Sequence, residues 1–108
     1  MALTTNSQTN TGGIANVAVG KIVTDSGAAA AVTITLGFAP RIVRFRNITD
    51  RISDEWYEGM ASANSIHTVA NGTVTLETTN GIAVSGNTFT LTATTMVASK
   101  TFAWEAIG

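Results

Sequence analysis

The chain has 108 residues, 44% of them hydrophobic, with ten glycines, one proline and no cysteine. That is material for one domain with a single modest core, and it excludes disulfides, thiolate chemistry and cysteine-based zinc sites. Six basic residues against seven acidic ones give a net charge of −1, too weak a field to gather nucleic acid or to settle on an anionic membrane.

"MALTTNSQTNTGG" (1–13) has almost nothing to bury and lacks the basic start and apolar middle of a signal peptide. The expectation is a flexible N-terminal arm over 1–13, able to order on a neighbouring subunit, followed by one domain over 14–108, in a protein made in the cytoplasm. "IANVAVGKIV" (14–23) is a run of small and β-branched residues, and "TDSG" (24–27) supplies turn formers. In "AVTITLGF" (31–38), Val32, Ile34, Leu36 and Phe38 alternate with Thr33, Thr35 and Gly37, which predicts a strand with one buried face.

Pro40 marks a strand entry into "RIVRFRNIT" (41–49), where Val43 and Phe45 take one face and Ile42, Arg44 and Arg46 the other. Burying unpaired guanidinium groups is expensive, so the arginine face is expected on an outer or partner-facing surface. "ITDRISDEWYEGM" (48–60) then crowds charge and rings together. We read Asp50, Arg51, Asp54, Glu55 and Glu58 as a charged turn and its rim, with Ile48, Ile52 and one of Trp56 and Tyr57 fastened into the core. A polar segment (61–72) leads to consecutive hairpins: "TVTLETT" (73–79), turn "NG" (80–81), "IAV" (82–84), turn "SGN" (85–87), "TFTLTATT" (88–95) and "KTFAWEAI" (100–107). Seven or eight short strands at this spacing predict an all-β fold, a single antiparallel β-sandwich or jelly-roll-like barrel.

Candidate chemistry fails on spacing. A catalytic carboxylate pair needs facing geometry, but Asp54 and Glu55 point to opposite faces of an extended segment. The acidic residues do not match a calcium loop, whose turn glycine is missing. His67 stands without a nucleophile elbow, although Ser65 shares its face if the segment is extended. Trp56 and Tyr57 lie on opposite sides of a strand and Trp104 alternates with Phe102 as a core residue, which is weak for a sugar-stacking platform. No catalytic, metal or cofactor-binding residue is assigned, and a non-enzymatic protein without cofactors is expected.

"GFAPRIVRFRNITDRISDEWYEGM", "SIHTVANGTVTLETTNGI", "GNTFTL" and "KTFAWEAIG", in that order from Gly37 to Gly108, resemble small structural proteins of tailed bacteriophages of the head-decoration or cement type. The elements Thr-Asp-Arg, Glu-Trp-Tyr-Glu-Gly-Met and Gly-Thr-x-Thr-Leu carry that resemblance. It implies a virion protein on the capsid surface, assembled in the host cytoplasm, whose partners are the major capsid protein and copies of itself as a dimer or trimer. A tail adaptor or fibre component, and a carbohydrate-binding module using Trp56 or Tyr57 with Glu55 and Glu58, are the alternatives. Four of the six basic residues, Arg41, Arg44, Arg46 and Arg51, fall within eleven positions, and with Asp54, Glu55 and Glu58 they form the expected partner-binding set. Residues 1–14 are expected to add apolar contacts on docking.

Overall fold

The computed structural model describes residues 16–108 and the backbone of residues 3–10. Its strands are β1 (Leu3–Asn10), β2 (Val17–Thr24), β3 (Val32–Thr35), β4 (Ile42–Asn47), β5 (Ile52–Tyr57), β6 (Asn64–Thr68), β7 (Val74–Ser85), β8 (Thr88–Leu91) and β9 (Thr101–Ile107). The described residues contain no helix, and every pairing is antiparallel, in the order β1-β2-β9-β4-β5-β6-β7-β8-β3. The backbone of β1 lies along β2. Met1, Ala2 and residues 11–15, and with them the boundary at 13/14, lie outside the described residues.

The all-β antiparallel class is as the alternation predicts, and the strands form one sheet curled into a half-barrel. The curl comes from β7. Its first half pairs with β6 through Leu76 opposite Ile66, and its second half pairs with β8 through Val84 opposite Phe89. Between them the register slips at Asn64/Ser65, the kind of irregularity that bends a strand and raises its twist. β8 and β3 are thereby carried over the concave side of β9 and β4. The edge of the Trp104 ring meets Phe89 with centroids 5.2 Å apart, while Phe45 stacks on Phe102 at 5.4 Å.

The core lies inside the curl. Val32, Ile34, Leu36, Phe38, Val43, Phe45, Phe102 and Trp104 are buried, in agreement with their alternation. Cross-strand neighbours line the same face in rows, such as Ile22, Phe102 and Asn47, or Trp104, Phe45 and Asp54.

Three local expectations are corrected. Residues 52–57, read as a charged turn, form a full strand, because only four residues (48–51) are needed to reverse the chain between Asn47 and its partner Ile52. Ile48 belongs to that reversal and is 52% exposed, outside the core. Asn80-Gly81 is no hairpin turn: β7 runs through it as one strand of 12 residues. A Cβ on Gly81 would come within 2.5–2.7 Å of the Asn64 carbonyl carbon, the Ala63 oxygen and the Ser65 nitrogen, so here the glycine serves close strand approach. The turn at 85–88 is as predicted, with Gly86 at φ 57° in a two-residue reversal.

Candidate functional site

Two surfaces carry the polar chemistry, the convex outer face of the sheet and a cavity on its concave side. Strand parity separates them. On β5, Ser53, Glu55 and Tyr57 face outward, while Ile52, Asp54 and Trp56 face inward.

On the outer face, the registers of β2, β9, β4, β5, β6 and β7 align Val19, Glu105, Arg44, Glu55, Ile66 and Leu76 in one row. Arg44 is the centre of its charges, with Nη1 2.8 Å from Glu105 Oε1 and Nε 3.4 Å from Glu55 Oε2. The Tyr57 hydroxyl donates to that same Glu55 oxygen at 2.8 Å. Glu105 first, and the Tyr57 hydroxyl second, raise the pKa of the guanidinium beyond its already high ordinary value. Arg41 makes a looser, exposed pair with Glu58 at 3.3 Å.

Arg46 and Arg51 differ. Among the described residues neither has an ion-pair partner, and with Asn47, Ile48 and Ser53 they line one groove at the β4–β5 turn. That turn is held by Asn47, whose Nδ2 donates to Asp50 Oδ2 and whose Oδ1 accepts from Asp50 N, and by Lys100, 3.1 Å from Asp50. Arg51 sits at φ 58°, a left-handed conformation that costs a non-glycine residue free energy and fixes where its side chain departs.

The expected partner-binding set is thus split. Glu55 and Glu58 do lie outside, each paired with an arginine of the same chain. Asp54 is turned inward and only 3% exposed. Its Oδ1 accepts from Ser65 Oγ at 2.7 Å and lies 2.8 Å from His67 Nδ1. The shared face of Ser65 and His67 is as their spacing implies, but the Ser65 hydroxyl is spent on the carboxylate and not on the imidazole. A nucleophile-base pair needs the opposite connection. The three residues form a polar knot that satisfies buried groups on β5 and β6.

His67 and Asp54 also line a cavity of about 260 Å³ together with the apolar Phe45, Ile52 and Val97 and the polar Glu77 and Asn80. Glu77 Oε2 accepts from the backbone N–H groups of Thr79 and Asn80, both at 3.0 Å, and these donors, Asn80 foremost, hold its carboxyl below the ordinary 4.5. Asn80 is pinned in turn by the hydroxyls of Thr92 and Thr95. The sequence hid this cavity because its residues come from four separate stretches, and only the inward parity of Asp54 between Ile52 and Trp56 signalled it. Among the described residues no group of three or more histidine, aspartate or glutamate side chains is arranged to hold a metal ion.

The rings offer little stacking surface. Trp56 is buried, with Nε1 donating to Ala61 O, and Tyr57 stands half-buried beside Arg41 and Glu58. Compared with protein-family models, with curated proteins and with solved structures, the chain finds no match.

Proposed function

We propose that this chain is a non-enzymatic structural protein of a tailed-phage virion that decorates or cements the head by binding across major capsid protein subunits. The observation that carries this reading is the groove at the β4–β5 turn. Among the described residues Arg46 and Arg51 stand there without carboxylate partners beside an exposed Ile48, while Arg41 and Arg44 are neutralised within the chain. Cations left over beside an apolar side chain suit an acidic, partly apolar patch on another protein, and guanidinium groups bind carboxylates with two parallel hydrogen bonds. The resemblance over residues 37–108 supplies the capsid as the place where such a patch is presented. On this reading the fold-over of β8 and β3 onto β9 and β4 works as a β-sandwich does, as a stiff wall whose outer face is free for contacts.

Electron microscopy of purified virions tests the proposal. Many symmetric copies on the head are expected, and release of the protein is expected when Arg46 and Arg51 are both changed to Glu. A few copies at one vertex indicate the tail component instead, and absence from mature particles overturns the virion assignment.

A further inference from the structure

We propose that two copies of this chain associate edge to edge through the first half of β7, antiparallel about a two-fold axis with Leu76 opposite Leu76 of the partner. β7 lies inside the strand order, yet β8 pairs only with Ala83, Val84 and Ser85. Over residues 74–77 β7 has β6 on one side and, among the described residues, no strand on the other.

The direction of the backbone groups follows from the β6–β7 hairpin. Val69 N–H donates to Thr73 O, and an antiparallel ladder alternates bonded and non-bonded pairs. Thr75 and Glu77, opposite His67 and Ser65, therefore direct their N–H and C=O groups to β6. Those of Val74 and Leu76 point away from it.

This open edge carries an inward charge, Glu77, but not the lysine or proline that often guards one. "TVTLETT" (73–79) contains no lysine and no proline, and it is rich in β-branched residues. Val74 and Leu76 are 60% and 61% exposed on the outer face, with Ile66 beside Leu76 on β6.

A second copy is the occupant that this edge fits. The complement of a free strand edge is another free strand edge of the same length, which an identical chain always brings. The single charge, Glu77, selects the register. Outward-directed residues must pair with each other. A two-fold centred on Glu77 would set two carboxylates face to face, whereas one centred on Leu76 puts Glu77 opposite Thr75 of the partner. Leu76 and Ile66 of both copies then merge into one apolar strip. The inference concerns backbone pairing alone and stands independently of the virion assignment.

The test uses the full chain in solution. Sedimentation equilibrium should show a concentration-dependent dimer, weakened about tenfold or more by Leu76→Lys, which sets like charges opposite each other. Val19→Lys, at the other end of the same row, should leave it unchanged. Because the chain has no cysteine, Leu76→Cys gives a single thiol, and two such residues directly opposite are about 5.5 Å apart between Cα atoms, within reach of a disulfide. Oxidation should couple Leu76→Cys chains and not Val19→Cys chains. A chain that stays monomeric at high-micromolar concentration, a dimer indifferent to Leu76→Lys, or equal coupling at both positions overturns the proposal.

Discussion

Asp54 shows how much one residue's parity decides. By composition it belongs with the surface carboxylates, yet it alternates with Ile52 and Trp56 and is carried inward, where two donors meet one of its oxygens. Removing the carboxylate strands the fully buried Ser65 hydroxyl. Asp54→Ala should therefore lower unfolding free energy by about 1–3 kcal/mol in urea titration, with Asp54→Asn costing less because an amide oxygen still accepts. Trp104 presents the reverse case, since its Nε1–H is buried with no acceptor among the described residues. In Trp104→Phe the lost ring volume and the removed orphan donor offset each other, for a net change within about 1 kcal/mol. Trp56→Phe, which forfeits a hydrogen bond to Ala61 O as well as a ring, should cost more. Side-by-side thermal melts of the two variants check the order.

At the scale of elements, the strands legible in the sequence were those with one apolar face. β3, β4 and β9 are announced by alternation of large side chains, and the structure keeps their inward residues. β5 and β6 were hidden because their inward positions hold Asp54, Ser65 and His67, whose cross-strand bonds supply what apolar side chains supply elsewhere. β7 was misread because Asn-Gly is the strongest short hairpin signal, while here it serves a bend that brings two backbones together. Gly81→Ala should force both strands to shift and cost about 1–3 kcal/mol, read by chemical denaturation. The same bend ties Glu77 to the backbone of Thr79 and Asn80. A carboxyl whose pKa is lowered on folding stabilises the fold above its unfolded value, ordinarily 4.5, and loses that contribution as pH falls through the lowered folded value. The stability gap between the native chain and Glu77→Gln should be constant near neutrality and close in acid. A gap that persists there would show that the hydrogen bonds, and not the charge, do the stabilising.

For the whole molecule, the order of strands in space departs from their order along the chain in a way that no local pattern could reveal. The sequence made an all-β fold legible, but one curled sheet depends on which strands pair across long separations. β9, the last of these strands in sequence, lies between β2 and β4, third in the order of the sheet. It also contributes Phe102, Trp104 and Ala106 to the core. Deleting residues 100–108 should abolish cooperative unfolding and near-ultraviolet circular dichroism, whereas removing a peripheral strand of equal length would only lower the melting temperature. During synthesis, β2 and β4 must leave the ribosome with their inner edges unpaired and wait for residues 101–107. Final folding therefore waits until residues 101–107 have emerged, and a pause or truncation just before Lys100 would expose two sticky strands to the cell's chaperones and proteases.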